Sequence, residues 1–269
     1  MESERSVTPE AAEQLDSFFT ALGAGARPLL LVDYDGTLSA IRVDRFQARP
    51  WAGVAELLSR IQAQGRTRMA VITGRPAHEI APLLGLDPPL EVWGLHGAER
   101  LYPDGRRELE AAPPASAAKL EELRRCLRRD SLGGLVEDKA NGVAMHWRGA
   151  TRKKAELIEQ RTRALFEPLA RLEGMELEPS DACLELRLGR DKGGAVEAIL
   201  AEGEAAGPVA YLGDDWSDEA AFRVVNRLGS RGLSVLARRQ GRGSAAAVWL
   251  RPPRELREFL RRWLSVLAG

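Results

Sequence analysis

The sequence predicts an α/β protein: a parallel sheet with helices on both faces, interrupted by a smaller inserted α+β module. Three observations predict this class. Short apolar runs alternate with segments of helical period in residues 1–111 and 189–269, as in a sheet with crossover helices. These runs end in polar residues, at the edge where such sheets bind ligands. Residues 112–188 instead have the order helix, hairpin, helix, hairpin, so we expect them to form a separate domain.

The segment 1–111 contains three predicted strands and three predicted helices. Helical spacing of apolar residues covers 8–23, 51–64 and 76–84. The predicted strands at 28–33, 67–72 and 90–95 are rich in apolar residues, and the first ends in a carboxylate, a composition typical of buried parallel strands. Polar side chains follow them at Asp33, Thr73 and His96, so we expect these residues to meet at one edge of the sheet.

The inserted module and the last segment have different patterns. Within the module, helices are predicted at 117–129 and 151–171, and strand pairs at 134–138 with 142–148 and at 175–178 with 182–188. Asn141-Gly142 lies in the turn region of the first pair, as is common in hairpins. The last segment returns to alternation, with a helix at 193–206, strands at 209–213, 233–237 and 246–250, and an amphipathic helix at 253–267.

The composition excludes several classes of protein. Lys and Arg number 39, and Asp and Glu also number 39, so the chain lacks the basic excess of a nucleic-acid binder. Two cysteines, Cys126 and Cys183, are too few for a disulfide scaffold or a four-cysteine zinc site. The amino terminus lacks the apolar core of a signal peptide, and no apolar run approaches the ~18 residues of a membrane helix. We therefore expect a cytoplasmic protein with reduced thiols that binds neither nucleic acid nor membranes.

Asp33-Tyr34-Asp35-Gly36, directly after the first strand, is the strongest chemical motif. Two carboxylates two residues apart on a strand-to-loop turn can face one point, and Gly36 permits the sharp turn. Asp33 could act as a nucleophile and bind a cation, while Asp35 could act as general acid with its carbonyl facing the same metal. The alternatives are an ordinary Asp-rich turn and a fragment of a calcium loop. The preceding strand, and the absence of a following loop that ends in Glu, disfavour calcium.

Three further elements follow strands or precede helices. Thr73-Gly74 could cradle a phosphate with a hydroxyl and backbone N–H groups, although helix capping is the commoner role of such a threonine. Lys192 could neutralise a phosphoryl group, or it could be a solvated lysine at a helix start. The strand at 209–213 is followed by three acids, Asp214, Asp215 and Asp218. Their mutual repulsion implies a hard divalent cation, and Mg²⁺ suits a site of carboxylates and phosphate.

These four elements, in this order, resemble those of the haloacid-dehalogenase-like phosphohydrolases. Further segments are similar to the trehalose-6-phosphate phosphatases of that superfamily, and the resemblance spans residues 29–222. They are 94–99 (GLHGAE), 136–139 (VEDK), 146–148 (HWR), 183–187 (CLELR) and 212–219 (LGDDWSDE). The sequence departs from the family pattern at Thr73, where Ser is frequent, and at Trp147, where Tyr is frequent.

The resemblance implies a Rossmann-like core, a mobile α+β cap at 112–188 whose closure excludes water, and hydrolysis of trehalose 6-phosphate. Asp33 would form an aspartyl-phosphate, and Asp35 would protonate the sugar oxygen and then activate water. Mg²⁺ would bind Asp33, the Asp35 carbonyl and Asp214. Asp215 and Asp218 would hold its water ligands or orient Lys192. The implied phosphate-binding residues are Thr73, Gly74 and Lys192, and the implied substrate-binding residues are His96, Gly97, Glu137, Lys139, His146, Arg148, Glu185 and Arg187.

Several alternatives stay open at this point. A related capped phosphatase could act on sucrose, glucosylglycerol or mannosylglycerate phosphate, and a binding module could hold a sugar phosphate without hydrolysing it. Lys139 and Arg148 could form salt bridges to Glu137 instead of binding a sugar. The resemblance also leaves open a functional link to a trehalose-phosphate synthase. Outside these motifs, we expect the Arg-rich segment 238–242 to be a surface loop.

Overall fold

The computed structural model describes residues 8–129, 133–180, 182–203 and 206–268. The chain divides into two compact units: the second is Leu109–Arg190, and the first is the chain on either side of it. The domain predicted at 112–188 lies within the second unit, which extends beyond it at both ends. The two ends of this unit are joined to each other, because Glu110 accepts a hydrogen bond from the Arg190 backbone N–H at 3.1 Å.

The secondary structure of the described residues alternates between strands and helices. The strands are β1 (Leu29–Val32), β2 (Arg68–Ile72), β3 (Glu91–Gly94), β4 (Glu99–Leu101), β5 (Arg107–Leu109), β6 (Val136–Lys139), β7 (Gly142–His146), β8 (Met175–Ser180), β9 (Cys183–Leu188), β10 (Val209–Gly213), β11 (Gly232–Ala237) and β12 (Val248–Leu250). The α-helices are α1 (Pro9–Leu22), α2 (Val54–Ala63), α3 (Ile80–Leu84), α4 (Pro114–Arg129), α5 (Arg152–Phe166), α6 (Lys192–Ala201), α7 (Glu219–Asn226) and α8 (Arg254–Ala268). Across the described ranges, no helix combines the length and the apolar character that crossing a bilayer requires.

The first unit is built on an eight-stranded sheet with the order β12-β11-β10-β1-β2-β3-β4-β5. The pairs from β12 to β3 are parallel, which confirms the predicted parallel sheet. Val32 at the end of β1 pairs with Val71 of β2 and with Leu212 of β10, so these three strands end at one edge. The residues that follow them at this edge are Asp33, Thr73 and Asp214.

Helices cover both faces of this sheet, as the sequence predicts. Leu30 and Val32 of β1 belong to an apolar cluster that includes residues of α1, α2, α3 and α8. Leu29 and Leu31, which alternate with them, belong to a second cluster that includes residues of α6 and α7. The continuous apolar run of β1 is therefore explained by burial on both faces of a central strand.

The sequence analysis missed the strands β4 and β5 and the helix α7. β4 and β5 continue the sheet beyond β3, and β4 pairs with β3 in the antiparallel direction. Each has three residues, and the charged side chains of Glu99, Arg100 and Arg107 leave no apolar run to predict a strand. α7 has only eight residues and begins inside the acidic motif, which concealed its helical period.

The second unit contains a four-stranded antiparallel sheet with the order β6-β7-β9-β8. Val143 and Met145 of β7 pack with Leu184 and Leu186 of β9 in a cluster that also includes residues of α4 and α5. The helix predicted at 151–171 ends at Phe166 and is followed by a separate 3₁₀ turn at Leu169–Arg171. Pro168 lies between them, and proline lacks the N–H that a continuing helix requires.

Candidate active site

Asp33 follows the central strand β1 and is buried. Its backbone N–H donates to the Leu212 carbonyl at 2.8 Å, which continues the pairing of β1 with β10. The ammonium of Lys192 donates to Asp33 Oδ1 at 2.7 Å. A carboxylate fixed in this way at the end of a central strand can attack an electrophile that reaches the sheet edge.

Lys192 is the first residue of α6 and is only 3% exposed. Asp191 caps this helix by accepting a hydrogen bond from the Gly194 N–H at 2.7 Å, which fixes the first turn. Lys192 Nζ lies 2.7 Å from Asp33 Oδ1 and 2.8 Å from Asp218 Oδ1. Burial lowers the pKa of Lys192, but the attraction of these two carboxylates raises it by a larger amount. The net pKa lies above the ordinary value, so the ammonium stays charged.

Asp218 is fully buried, and both of its carboxylate oxygens accept internal hydrogen bonds. Oδ1 accepts from Lys192 and from the Tyr211 hydroxyl, the latter at 2.6 Å. Oδ2 accepts from the backbone N–H groups of Asp214 and Asp215, each at 2.9 Å. Asp218 therefore orients Lys192 and the backbone of the acidic loop, which we define as residues 214–219.

Asp214 reaches back toward the loop that follows β1. Gly36 has a φ of +84°, and a Cβ placed on it would lie 1.9 Å from Asp214 Oδ2. Only glycine permits both this backbone conformation and this close approach. The predicted sharp turn at Gly36 therefore also makes room for the Asp214 carboxylate.

Asp33, Asp214 and Asp218 offer carboxylate oxygens that lie within 4.8 Å of one another. Burial and repulsion from Asp218 and Asp35 raise the pKa of Asp33 to about 7, although Lys192 opposes this. Burial and repulsion from Asp33, Asp218 and Asp215 raise the pKa of Asp214 well above its ordinary value. A hard divalent cation would relieve this repulsion, and the oxygen donors of Asp33 and Asp214 fit one.

Asp35 is paired with Arg75, the third residue of the Thr73-Gly74-Arg75 segment. The guanidinium donates to both carboxylate oxygens, from Nε at 2.6 Å and from Nη2 at 2.5 Å. Burial lowers the pKa of Arg75, but the hydrogen bonds to Asp35 and the attraction of its charge raise it by a larger amount, so the net pKa lies above the ordinary value. The sequence analysis assigned no role to Arg75.

Thr73 and Gly74 follow β2, and His96 follows the neighbouring strand β3. The three residues form a compact group. Thr73 is buried, and its hydroxyl accepts a hydrogen bond from the Arg75 N–H at 3.2 Å. The His96 N–H donates to the Thr73 carbonyl at 2.9 Å, and a Cβ on Gly74 would lie 2.7 Å from His96 Nε2. The close packing of the imidazole against Gly74 thus requires glycine.

The structure decides against the alternative role of Thr73 as a helix cap, since the 3₁₀ turn within the predicted helix at 76–84 is preceded by Pro76. The segment after Thr73 does not begin a helix there: a 3₁₀ turn starts at Ala77, and α3 follows at Ile80–Leu84. Thr73 therefore caps no helix, because it forms a tight turn with Arg75 instead. Gly97 ends the short 3₁₀ turn that follows β3, Leu95–Gly97.

Except for Arg148, which lies beyond β7, the predicted sugar-binding residues of the second unit share one face of its sheet. The cross-strand partners are Glu137 with Ala144, Ala144 with Glu185, His146 with Cys183, and Glu178 with Glu185. The alternate residues, such as Val143 and Leu184, form the apolar cluster on the other face. We call the first face the polar face, and its charged members are Glu137, Lys139, His146, Glu176, Glu178, Glu185 and Arg187.

Ion pairs connect the residues of the polar face. Lys139 donates to Glu185, and both side chains are largely buried. Glu137 Oε2 lies 3.0 Å from His146 Nε2. Lys139 thus pairs with Glu185, and Glu137 lies beside His146. Burial lowers the pKa of Lys139, but its contact with Glu185 and the charge of Glu137 raise it above the ordinary value. Arg148, just beyond β7, is exposed.

Arg187 differs from the other members because its guanidinium is used internally. The residue is 1% exposed, and it pairs with Glu176 at 2.7 Å and with Glu178 at 3.2 Å. It also donates to the carbonyls of Gly189 and Arg190. These contacts favour a structural role for Arg187 over the substrate contact that the resemblance implied.

A model of the family described as trehalose-phosphatase matches residues 31–248. The chain belongs to this family. The matched range includes Asp33, Asp214 and Asp218, which we call the acidic cluster, and every residue of the polar face.

One curated relative and two solved structures illustrate what the chain is similar to in sequence and in fold. A trehalose-phosphate phosphatase of Mycolicibacterium paratuberculosis is 33% identical over 94% of this chain and 66% of that protein. This chain therefore spans a little less than two thirds of that relative. The C-terminal domain of a C. albicans trehalose-6-phosphate phosphatase has a TM-score of 0.77 at 19% identity and covers 94% of this chain and 96% of its own. A haloacid dehalogenase-like hydrolase of B. subtilis has a TM-score of 0.53 at 16% identity, over 78% and 88%.

The sequence analysis missed two residues that contact carboxylates of the candidate active site. Tyr211 lies within the apolar run of β10, where a single aromatic residue gives no indication of a hydroxyl that orients Asp218. Arg75 was visible beside Thr73, but its pairing with Asp35 depends on two strands that are distant in sequence.

Proposed function

We propose that the chain is a Mg²⁺-dependent phosphatase that hydrolyses trehalose 6-phosphate to trehalose and phosphate through an aspartyl-phosphate. The observation that carries this proposal is the buried contact of Lys192 with Asp33 and Asp218. The Lys192 ammonium is a fixed positive charge beside the Asp33 carboxylate. It lies at the sheet edge where Asp214 and Thr73 follow their strands. Membership in the trehalose-phosphatase family supports the choice of substrate.

The cation would bind between Asp33 and Asp214, with the Asp35 carbonyl as a further oxygen ligand. Mg²⁺ prefers such hard oxygen donors, and when bound it neutralises charge on the phosphoryl group. Asp218 contributes through the backbone that it holds, since it accepts from the N–H groups of residues 214 and 215, and the Asp215 side chain accepts from the Asp218 N–H.

Asp33 attacks phosphorus with a carboxylate oxygen, the bond to the sugar oxygen breaks, and the departing oxygen takes the proton of Asp35. Asp35 then removes a proton from the water that hydrolyses the aspartyl-phosphate, so it acts in both half-reactions. Lys192, the Thr73 hydroxyl and the Gly74 backbone bind the phosphoryl oxygens, where charge must be stabilised. His96 and Gly97 lie beside this group and belong to the same proposed binding region.

We assign sugar recognition to the polar face of the second unit. Carboxylates there accept hydrogen bonds from sugar hydroxyls, and cationic groups donate to hydroxyl and ring oxygens. The proposed contacts are Glu137, Lys139, His146, Arg148 and Glu185. The ion pairs of Lys139 with Glu185 and of Glu137 with His146 support this assignment because they keep charged groups oriented on one face. A trehalose-phosphate synthase would supply the substrate, and the two free cysteines suit a cytoplasmic location.

Phosphate release by the purified protein tests the proposal. The panel comprises trehalose 6-phosphate, sucrose 6-phosphate, glucose 6-phosphate and glucosylglycerol phosphate, each with and without Mg²⁺. We expect Mg²⁺-dependent turnover with strong preference for trehalose 6-phosphate, and none in Asp33→Asn. Preference for another sugar phosphate would contradict the assignment of the polar face but not the chemistry. Normal turnover by Asp33→Asn would refute the nucleophile.

A further inference from the structure

The segment 238–245, part of which was expected to be a surface loop, contacts the acidic loop. It follows β11 and precedes β12, and we call it the strap. Its first residue is fixed by the neighbouring strand: the Arg238 N–H donates to the Leu250 carbonyl at 3.0 Å, and the Arg238 carbonyl accepts from Trp249 Nε1 at 2.7 Å. The strap is thus anchored to the sheet before it reaches the acidic loop.

Arg238 binds the beginning of the acidic loop. Its Nη1 donates to the backbone carbonyl of Asp214 at 3.2 Å and lies 3.8 Å from Asp215 Oδ1. Together with the bonds from the Asp214 and Asp215 N–H groups to Asp218, this contact holds the Asp214 backbone from both sides of the peptide.

Glu219 binds the other end of the strap. Its Oε1 accepts from Arg242 Nη1 at 2.6 Å and from the Ser244 hydroxyl at 2.7 Å, and its Oε2 accepts from the Ala245 N–H at 2.8 Å. Burial raises the pKa of Glu219, but these hydrogen bonds lower it by a larger amount. The net pKa lies below the ordinary value, so the carboxylate remains charged. The Arg242 guanidinium also lies 4.2 Å from the centroid of the Trp216 ring.

The two ends of the strap therefore hold the two ends of the loop that carries the proposed cation ligand Asp214. Without external support, carboxylates at 214, 215 and 218 would repel one another and relax apart. The groups that support the ligands of a metal site commonly set its affinity, because they decide whether the ligands are already in place. A merely electrostatic role for Arg238 would have the opposite effect, since a positive charge near the site repels a cation.

We propose that the strap is a positioning element of the cation site, and that Arg238 and Arg242 raise the affinity of the acidic loop for a divalent cation. This inference rests on the proposed function, which places that cation on Asp33 and Asp214. It concerns residues of the chain that lie outside the four motifs.

Calorimetric titration with MgCl₂ tests the inference on the whole chain. The variants are Arg238→Ala and Arg242→Lys, with Ser244→Ala as a milder change at Glu219. Arg239→Ala is the matched control, because it removes the same charge from an exposed side chain of the strap. We expect the dissociation constant for Mg²⁺ to rise by about 10- to 100-fold in Arg238→Ala and to change little in Arg239→Ala. Circular dichroism of the metal-free variants checks that each is folded.

The outcomes separate the inference from the proposed function. Wild-type protein that binds Mg²⁺ and releases phosphate, with Arg238→Ala and Arg242→Lys binding Mg²⁺ like the control, overturns the strap alone. Tighter Mg²⁺ binding by Arg238→Ala than by Arg239→Ala also overturns it, since repulsion would then outweigh positioning. Wild-type protein that neither binds Mg²⁺ nor releases phosphate overturns both proposals.

Discussion

The Arg75 guanidinium donates hydrogen bonds to both carboxylate oxygens of Asp35, from Nε at 2.6 Å and from Nη2 at 2.5 Å. The guanidinium is itself held by the Arg45 carbonyl at 2.7 Å and lies 5.6 Å from the centroid of the Tyr34 ring. These contacts give Asp35 a defined orientation in a loop that β1 alone would not fix. The orientation of the proposed acid and base is therefore set by a residue that follows a different strand.

Changing Arg75 should affect protonation of the leaving group more than attack on phosphorus. We expect Arg75→Ala to lower kcat for trehalose 6-phosphate by about 10²-fold, the cost typical of a misplaced catalytic group. For p-nitrophenyl phosphate, whose leaving group needs little protonation, the loss should be much smaller. Steady-state kinetics on both substrates measure this difference, with Arg75→Lys as the charge-preserving comparison. Equal losses on both substrates would mean that Arg75 only stabilises the fold.

Gly36 and Gly105 form a matched pair for testing the contact with Asp214. Both have positive φ angles, +84° and +85°, but only at Gly36 would a Cβ meet another group. Each substitution by Ala should cost roughly 1–2 kcal/mol of backbone strain. Gly36→Ala should also displace Asp214 and weaken Mg²⁺ binding, whereas Gly105→Ala should leave it unchanged. Urea unfolding and Mg²⁺ titration of both variants check this, and unchanged Mg²⁺ affinity in Gly36→Ala would contradict it.

Asp218 and Tyr211 should contribute unequally to stability. Asp218→Asn leaves Lys192 with a single carboxylate partner and places amide hydrogens against other donors, so we expect a loss of roughly 3–5 kcal/mol. Tyr211→Phe removes only one hydrogen bond to a charged group and should cost about 1.5–3 kcal/mol. Urea unfolding in the presence of a chelator measures both values without a contribution from bound metal. A larger loss in Tyr211→Phe than in Asp218→Asn would contradict this ranking.

His146 should titrate well above an ordinary histidine. Hydrogen bonds with Cys183 and Glu137 raise its pKa from 6.5 to about 9. Because the pKa is raised in the folded protein, the resulting stabilisation is complete below pH 6.5 and is lost as the pH rises through 9. NMR titration of the histidine ring protons measures the value, and the resonance is assigned by its absence in His146→Gln. Glu137→Gln should lower the pKa, and an unshifted value there would exclude Glu137 as a cause.

Glu137 and Asp138 are adjacent on β6 but face opposite ways, which permits a test of sugar recognition. Glu137 lies on the polar face, whereas Asp138 pairs with Arg124 of α4 at 2.7 Å. Glu137→Gln should reduce kcat/KM for trehalose 6-phosphate by about tenfold, the value of one hydrogen bond to a charged group, with little change for p-nitrophenyl phosphate. Asp138→Asn, the control, should not change this ratio. Loss of selectivity in the control would contradict the assignment of the polar face.

The parts of the fold that the sequence predicts well are those whose residues are buried in a regular pattern. β1, β2 and β10 are rich in apolar residues because they lie inside a sheet that is covered on both faces. The polar residues at their ends indicated one shared edge, and Asp33, Thr73 and Asp214 indeed follow strands that end together. The strands β4 and β5 lack this pattern, since three-residue strands with charged side chains bury too little to leave a trace in the sequence.

The residues of the candidate site also divide into those that the sequence predicts and those that it does not. Motifs reveal residues that lie beside one another in the sequence, but contacts across the fold depend on tertiary structure. The pairing of Arg75 with Asp35, the role of Tyr211 and the internal ion pairs of Arg187 all join residues from different strands or loops. The strap shows the same limit, because an Arg-rich stretch of sequence is equally typical of a solvated loop.

The sheet of the first unit joins strands that are far apart in the chain, since Leu29 of β1 pairs with Val209 of β10. The sheet of the second unit instead joins strands that all lie between these two positions. During synthesis from the amino terminus, the second unit therefore emerges from the ribosome before β10 emerges. We expect it to fold while β1 still lacks a neighbour on one side. The strands that are synthesised last close the sheet, and the loop after β10 supplies Asp214 and Asp218 of the acidic cluster. A chain arrested before Asp214 would therefore lack the proposed catalytic site.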